Sequence, residues 1–408
     1  MMNATEIAAG AVSPVEAVED ALARIEAQRE LRAVITLCGD EALARARNGV
    51  RGRLAGVPLL VKDLIDTAGI RTTYASSLYA EHVPERTASS VAALEAEGAI
   101  VVGKANADEF AWGTCGQNTF YGDPVNPTAP DRIAGGSSSG NAVALAAGMV
   151  PLTLGTDTGG SVRMPAGACG IVGLKTPIGA VSVEGVFPLV PTFDTVGPMA
   201  RTVADCALAY SVLAGTPVPE PGMRGLRVGL LTAVPDLAPV ASPGPRDDRA
   251  LAYTERLRAL GADVQETVLP TPEGDTWAVF NAEAARSHAA TFPSRRDEYG
   301  PTIRAKLDGA LQVTDEDYRA GLAALHAWRE HAAREPAVDL LVSPTLGVEE
   351  LPPAGVDELD VRLAVSAYTR PFSYLGWPAI AIGGLQIAGR DAATVIAAAL
   401  ALEYQGNW

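Results

Sequence analysis

The 408-residue sequence has few histidines and few cysteines, four of each, scattered along the chain. No Cys-x-x-Cys pair occurs, and no two histidines are spaced to face one side of a helix. This scarcity disfavours a structural metal site and a disulfide framework, and it is typical of a reducing compartment such as the cytoplasm. We therefore expect no metal and no cofactor, with buried thiols and imidazoles at the surface.

Positive charge and long apolar runs are also scarce. The chain carries 32 basic residues against 48 acidic ones, a net charge of −16, which disfavours a broad nucleic-acid-binding surface. No segment has the 18 or more apolar residues of a membrane helix, and the N-terminus carries acids where a signal peptide would be apolar. We expect a cytoplasmic protein with no direct nucleic-acid binding and no membrane attachment.

Apolar residues and glycines are abundant, at 48% hydrophobic content with 41 glycines, as in globular enzymes with many tight turns. Short apolar runs alternate with helical segments over 54–216, which predicts an α/β fold with a mostly buried central sheet covered by helices on both faces. Residues 1–55 are predicted to be helical, 54–216 to form the core of the sheet, and 217–408 a looser part with closing strands and a helix. The segments 217–225 and 238–246 are a candidate linker and an exposed loop. Because strands on both sides of the linker can join one sheet, we predict a single domain over 1–408.

Individual elements follow from periodicity and capping signals. Ser13, Pro14 and Glu16 predict a helix that begins at residue 14 and ends near residue 28. Further helices are predicted at 90–97, 139–148, 203–213, 247–260, within 275–290, within 315–334, and at 392–403. Strands are predicted at 59–61, 100–103, 152–155, 227–230, 264–268, 339–343 and, as a pair, within 379–387.

A glycine- and serine-rich run over 133–173 places Ser137 and Ser161 on two small-residue turns. Ser161 follows Gly159 and Gly160, which allow the backbone to approach a ligand closely and to turn N–H groups inward. Such donors can stabilise an oxyanion, each by roughly 3 kcal/mol in a transition state. The same tripeptide also occurs at ordinary turns.

Neither glycine-rich motif contains a histidine that could activate a serine. Lys62 ends the apolar run 56–61, where burial would lower the pKa of the ammonium and make a neutral base available. Alternatively, Lys62 pairs with Asp63 or Asp66 at the surface. The run Gly-Gly-Ser-Ser-Ser-Gly around Ser137 could also be a flexible loop, whereas a phosphate-binding interpretation fails because the Gly-Lys-Ser/Thr ending of a Walker loop is missing.

Together these motifs resemble the amidase signature family. The resemblance covers Lys62 in Val-Lys-Asp, the serine run at 135–140, the run at 156–163 and the 24-residue interval from Ser137 to Ser161. It extends over nearly the whole chain, with further matches at 102–110, 126–127, 165–166, 173–177, 194–198 and 368–372. A short segment at 380–386, around Gly383, replaces a longer hairpin of the family.

The resemblance implies a large mixed sheet and amide hydrolysis through an acyl-enzyme, with 54–216 as the catalytic core and 217–408 as a variable, substrate-side part. It implies Ser161 as the nucleophile, Ser137 as a bridging serine in a cis peptide linkage, and Lys62 as the general base. The N–H groups of Ser161 and its neighbours would form the oxyanion hole, and three further residues would support the loop. These positions are Thr158, Gly159 and Gly160 for the oxyanion hole, and Ser138, Asp157 and Arg163 for support.

Three functions remain open on the sequence. The main one is an amidase that converts a small carboxamide to a carboxylate and ammonia or an amine, as a possible homodimer. The alternative is the glutaminase subunit of a tRNA-dependent amidotransferase complex, in which an acidic residue before the final conserved segment helps to recognise glutamine; residues 365–370 contain no acid. The third is a non-catalytic binding protein.

The substrate is not identified by the sequence. Pocket-lining residues are expected within 275–335 and 368–377. Arg370 could meet a carboxylate or form a structural ion pair. Five aromatic side chains could line the pocket, although core packing is the favoured role for each: Trp277, Phe280, Tyr318, Trp328 and Trp377.

Overall fold

A computed structural model describes residues 2–404 of the chain, apart from 236 and 238–246. The loop predicted at 238–246 therefore lies outside the described residues. The strands of the described part are β1 (Val34–Leu37), β2 (Pro58–Lys62), β3 (Ile100–Ala105), β4 (Leu152–Thr156), β5 (Val172–Lys175), β6 (Val196–Ala200), β7 (Arg227–Leu231), β8 (Asp263–Thr267), β9 (Leu340–Pro344), β10 (Ala379–Ile382) and β11 (Leu385–Gly389).

The helices complete the α/β architecture. They are α1 (Ala4–Ala8), α2 (Pro14–Ala27), α3 (Gly39–Arg47), α4 (Ser89–Ala96), α5 (Ser139–Ala146), α6 (Arg163–Cys169), α7 (Val203–Leu213), α8 (Thr254–Ala259), α9 (Trp277–Ser287), α10 (Phe292–Arg295), α11 (Pro301–Ala310), α12 (Asp315–Ala332), α13 (Glu358–Val365), α14 (Arg370–Leu375) and α15 (Ala392–Glu403). Among the described residues, no helix is both long and apolar enough to cross a membrane.

All these strands pair in one sheet, in the order β1-β3-β2-β4-β6-β5-β10-β11-β9-β7-β8. The sheet is mixed: β2 runs parallel to both β3 and β4, whereas β4, β6, β5 and β10 pair antiparallel in succession. Parallel pairing returns at the far edge, where β7 lies between β8 and β9. Strands from before and after residues 217–225 thus share one sheet, and on this ground we propose that the chain is a single domain.

Both faces of the sheet are covered by helices. Alternate residues of β2 point to opposite sides: Leu59 and Val61 pack in the core that contains α4, α7 and α15, whereas Leu60 packs with α2 and α5. A third apolar cluster lies where α9, α11 and α12 meet the sheet. These layers confirm the predicted fold class, and they bury the ends of the central strands on which the site residues lie.

The predicted helical segment 1–55 is partly wrong. Residues Val34–Leu37 form strand β1, which pairs antiparallel with β3 at the edge of the sheet. The predicted helix 247–260 is a 3-10 turn over Arg249–Tyr253 followed by the short helix α8. The predicted starts of α2, α7 and α15 agree with the structure, because Ser13, Thr202 and Asp391 cap them through side-chain acceptors.

The rarer side chains are more buried than the sequence indicates. All four cysteines are buried thiols, as expected. The expectation of surface imidazoles is wrong for His288, which is fully buried among Phe110, Phe187 and Tyr299. The four lysines of the sequence are buried as well, none more than 6% exposed: Lys62, Lys104, Lys175 and Lys306.

Candidate active site

Lys62 is the last residue of β2, in the middle of the parallel part of the sheet, and it is 0% exposed. Its Nζ donates hydrogen bonds to Ser137 Oγ and to Thr156 Oγ1, both at 2.8 Å. Burial lowers the pKa of Lys62 to about 7, although nearby carboxylates, Asp108 first among them, raise it in part. The surface pairing with Asp63 or Asp66 is therefore not formed, and Asp63 instead accepts hydrogen bonds from Thr73 and Ala75.

Ser137 lies on the turn that precedes α5, and the Gly136–Ser137 peptide bond is cis. Asp108 packs against this turn: its N–H donates to Ser137 O, at 3.3 Å, and its carboxylate accepts from the N–H groups of Gly116 and Gln117. A Cβ on Gly136 would overlap with the Asp108 carboxylate, which explains the glycine at this position. Burial raises the pKa of Asp108 to about 7.

Ser161 lies on the turn between β4 and α6, opposite the Ser137 turn. The two turns are joined through Ser138, whose N–H donates to Ser161 O at 3.0 Å and whose Oγ donates to Thr156 O at 3.3 Å. Thr156 therefore contacts both Lys62 and the serine turn, from the end of the neighbouring strand β4. The arrangement brings Lys62, Ser137 and Ser161 together at one end of the central strands.

The Ser161 turn presents backbone donors. In the described part of the chain, the N–H groups of Thr158, Gly159 and Ser161 donate to no other protein group. Gly160 differs, because its N–H is donated to Asp157 Oδ1 at 2.8 Å. The prediction that Gly160 also contributes its N–H to an oxyanion hole does not hold in this conformation, since that donor is already engaged.

Asp157 and Arg163 support this turn from the protein interior. Both side chains are 0% exposed, and they form an ion pair with 2.9 Å between Arg163 Nε and Asp157 Oδ2. Burial raises the pKa of Asp157, but the charge and hydrogen bonds of Arg163 outweigh it and leave the pKa below its ordinary value. Arg163 also donates to Thr369 O and to Gln386 Oε1, at 2.9 and 2.7 Å, so it ties the turn to α14 and β11.

A pocket opens in front of Ser161. Its walls come from the Ser161 turn, from residues 111–114, and from helices α9, α11, α13 and α14. Trp277 and Phe280 line it, whereas Trp328 is buried in the core and donates its indole N–H to Pro270 O. Charged and polar lining residues that include Lys306, Glu358, Arg362, Ser366 and Arg370 face the same space.

Several residues of this site were not singled out from the sequence. Thr156, Asp108 and Thr369 contact the predicted residues only through the fold, from a strand end, a loop and the start of α14. Thr369 Oγ1 donates to Gly159 O at 2.8 Å. The sequence did contain a signal for Thr156, because this residue begins the Thr-Asp-Thr-Gly-Gly-Ser run and directly precedes Asp157. Within the described residues, no group of three or more His, Cys, Asp or Glu side chains is placed to hold a metal ion.

A family model described as Amidase matches residues 16–392, nearly the whole chain. The chain belongs to the amidase family. It is an amidohydrolase that acts on amide C–N bonds, and both the family resemblance and the fold class predicted from the sequence are confirmed.

Relatives of this amidase differ in what their names describe. The A subunit of the glutamyl-tRNA(Gln) amidotransferase from Roseiflexus sp. (strain RS-1) is 34% identical over an alignment of 443 positions, gaps included, which covers 93% of this chain and 90% of the relative. A crystal structure of an amidase is 32% identical, with a TM-score of 0.86 over 99% of both chains. A 6-aminohexanoate cyclic dimer hydrolase in complex with substrate is 26% identical, with a TM-score of 0.86 over 100% of this chain and 97% of that one.

Proposed function

We propose that this amidase hydrolyses a carboxamide through an acyl-enzyme on Ser161, with Ser137 as a proton relay and Lys62 as the general base. The contact that carries the proposal is the 2.8 Å hydrogen bond between Lys62 Nζ and Ser137 Oγ, formed by a fully buried lysine whose pKa is about 7. A neutral amine is thereby available near physiological pH, beside the pocket that Ser161 lines.

In the first half of the reaction, neutral Lys62 accepts the proton of Ser137, and Ser137 accepts that of Ser161. Ser161 Oγ then bonds to the amide carbon, and the carbonyl electrons move to oxygen, where the N–H groups of Thr158, Gly159 and Ser161 stabilise the negative charge. The proton returns through Ser137 to the amide nitrogen, the C–N bond breaks, and ammonia or an amine leaves. Water repeats the sequence in the second half and releases the carboxylate.

Fluorophosphonate labelling of the purified chain, with mass mapping of the modified peptide, tests this assignment without a known substrate. We expect the label on Ser161 and its loss in Lys62→Ala, because the serine is then no longer activated. Ser182→Ala serves as a matched control, since Ser182 is exposed and remote from the site. Absence of label from Ser161, or equal labelling of Lys62→Ala, would contradict the proposal.

The second candidate is the glutaminase subunit of an amidotransferase. The names of the curated relatives favour this alternative over a free-standing small-amide amidase, at 34% identity over 93% of the chain for one of them and over 98% for a second, from Chloroflexus aurantiacus. The pocket supports the free-standing enzyme instead: Ser366 lines it, and residues 365–370 supply no acid where the subunit has its glutamine-recognising residue.

Measurement of ammonia release distinguishes the two candidate functions. A free-standing amidase releases ammonia from small amides at its full rate as the purified chain alone, and its elution volume shows whether it is the predicted homodimer. For the subunit, the chain is expressed from its native promoter and isolated together with stoichiometric partner proteins. Its glutamine hydrolysis is then at least tenfold faster than that of the purified chain alone. Stoichiometric partners together with no turnover of other amides would overturn the free-standing function.

A further inference from the structure

Asp194 lies beside the turn that carries Ser161 because the sheet pairs the two segments. Strand β4 pairs antiparallel with β6, and the pairing continues beyond the ends of both strands. The N–H of Asp157 donates to Thr195 O at 2.8 Å, and the N–H and Oγ1 of Thr195 donate to Asp157 O at 3.2 and 2.6 Å. The next pair in this register sets Thr158 opposite Asp194.

The side chain of Thr158 is held by Asp194. Its Oγ1 donates a hydrogen bond to Asp194 Oδ1 at 2.6 Å, and the residue is only 3% exposed. A buried hydroxyl without an acceptor is unfavourable, so loss of this contact would favour a different conformation of the turn. Because the N–H of Thr158 is one of the donors that the turn offers to an oxyanion, the hydrogen bond to Asp194 constrains the orientation of that donor.

The carboxylate of Asp194 also holds the loop that carries Leu189. Its Oδ2 accepts from the N–H of Leu189 at 2.9 Å, and the N–H of Val190 donates to both carboxylate oxygens at 3.1 Å. Burial raises the pKa of Asp194, and the hydrogen bonds that it accepts offset this only in part. Since Leu189 lines the pocket, one carboxylate contacts both the oxyanion turn and a wall of the pocket.

That wall has a second attachment, through Glu283 on α9. Glu283 accepts from the N–H of Thr192 at 2.8 Å and from its Oγ1 at 2.6 Å, and α9 itself lines another side of the pocket. The loop therefore keeps a hydrogen-bonded anchor when Asp194 is changed. The loss of Asp194 should accordingly affect the position of Thr158 more than the shape of the pocket.

We propose that Asp194 is a positioning residue for the reaction, and that it holds the Thr158 N–H toward the oxyanion that forms at Ser161. The inference rests on the proposed function and adds a residue to it. Asp194 is not one of the described residues that line the pocket, so it acts through Thr158 rather than on the substrate. A donor that is misplaced by roughly 1 Å stabilises a transition state far less, because the hydrogen bond to the oxyanion is then long or poorly aligned.

The kinetics of fluorophosphonate labelling test this role on the full-length chain, because the phosphonyl oxygen of the probe takes the place of the oxyanion. Labelling of Ser161 over a range of probe concentrations gives the maximal rate and the concentration for half of that rate. We expect Asp194→Ala to lower the maximal rate by about tenfold or more, while the half-maximal concentration changes by less than about threefold. A variant that only loses stability would instead lower the fraction of folded protein that can be labelled.

Two further variants isolate the contact with Thr158. Asp194→Asn should label within about threefold of the wild-type rate, because an amide can still accept from the loop N–H groups and donate to the Thr158 hydroxyl. Thr158→Val removes the hydroxyl but keeps the shape and the backbone N–H, and it should slow labelling by about tenfold. The double variant Thr158→Val/Asp194→Ala should be no more than about threefold slower than Asp194→Ala, since both changes break the same contact.

Asp391→Ala is the matched control. Asp391 accepts from the N–H and the hydroxyl of Thr394 at the start of α15, where neither residue lines the pocket, and this variant should keep both wild-type labelling constants. If Asp194→Ala does not fold, Thr158→Val decides the matter by itself.

Three results would overturn the inference while leaving the proposed function intact. They are wild-type labelling rates in Asp194→Ala or Thr158→Val, an Asp194→Asn variant as slow as Asp194→Ala, and effects that multiply in the double variant. Absence of any label on Ser161 in the wild-type chain would overturn the proposed function and this inference with it.

Discussion

At Lys62, burial and hydrogen bonding act on the same ammonium group in different ways. The lack of solvent lowers the pKa to about 7, whereas two hydroxyl acceptors, Ser137 and Thr156, fix the position of Nζ. A lysine at the surface would be protonated at neutral pH and could not accept a proton. The burial of this one side chain therefore allows a lysine, rather than a histidine, to act as the base.

The pH dependence of activity should report this residue. Because the neutral amine is the active form, kcat/KM for ammonia release should rise as the pH increases through about 7, and below that pH it should fall about tenfold per pH unit. Lys62→Ala should lose activity by about 100-fold or more at pH 8. A profile that stays flat from pH 5 to 9, with an active Lys62→Ala variant, would exclude lysine as the base.

Gly160 should tolerate no side chain. Its φ of 132° lies in a region that favours glycine, and a Cβ there would overlap with Thr369 Oγ1. We expect Gly160→Ala to destabilise the fold by about 1–3 kcal/mol and to slow the labelling of Ser161. Thermal unfolding and labelling rates check this, with Gly170→Ala, at a positive φ with open space around it, as the comparison for backbone strain alone. Equal effects of the two variants would argue against the Thr369 contact.

Residue-level prediction from contiguous motifs named residues that lie close together in the fold, whereas their roles stay predictions. Ser137, Ser161, Asp157 and Arg163 stand in two runs of the sequence, and the structure places them together. Thr156 and Asp108 could not be predicted in the same way, because their contacts with the site cross from one element to another. The engagement of the Gly160 N–H depends on the path of a single turn, which composition does not determine.

At the scale of elements, Arg163 joins three parts of the site. It forms an ion pair with Asp157 beside the Ser161 turn, and it donates hydrogen bonds to Thr369 O, at the start of α14, and to Gln386 Oε1 on β11. Since α14 also carries Arg370, which lines the pocket, the same residue fixes the position of the Ser161 turn relative to that wall of the pocket. This helix was not predicted from the sequence, because its six residues make fewer than two turns. Strand β1 was not predicted either, because Val34–Leu37 shows no strict alternation of apolar and polar residues.

Removing one partner of the buried ion pair should be costly. Arg163→Met leaves Asp157 buried without its counter-ion, and we expect the free energy of unfolding to fall by about 3–5 kcal/mol. The double variant Asp157→Asn/Arg163→Met removes both charges and should be less destabilised than Arg163→Met alone. Urea unfolding of the two variants measures the difference. If the double variant is the less stable one, the ion pair is not what stabilises the turn.

At the scale of the molecule, the sheet runs without interruption from β1 to β8 and includes strands from both sides of residues 217–225. The sequence indicated a buried sheet between helices, but it did not predict the strand order. Pairings such as β10 with β5, at a separation of about two hundred residues, depend on contacts that no local pattern records. The direction of each pair is likewise a property of the assembled sheet.

If the chain is a single domain, it should unfold as one cooperative unit. We expect coincident transitions in urea when far-ultraviolet circular dichroism and tryptophan fluorescence are followed together, because Trp112 lies in the first half of the chain and Trp277, Trp328 and Trp377 in the second. Two resolved transitions, one of them retained in a fragment that ends near residue 217, would contradict the single-domain proposal.

The burial of every lysine gives this protein an unusual chemical surface. Its exposed cations are arginines, so an amine-reactive acylating reagent meets no accessible lysine in the folded chain. Conjugation or crosslinking chemistry that depends on lysine should therefore leave the native protein nearly unmodified beyond its terminal amine. The same reagent becomes a reporter of opening, because acylation of Lys62, Lys104 or Lys175 requires the sheet, or the helices packed on it, to separate first.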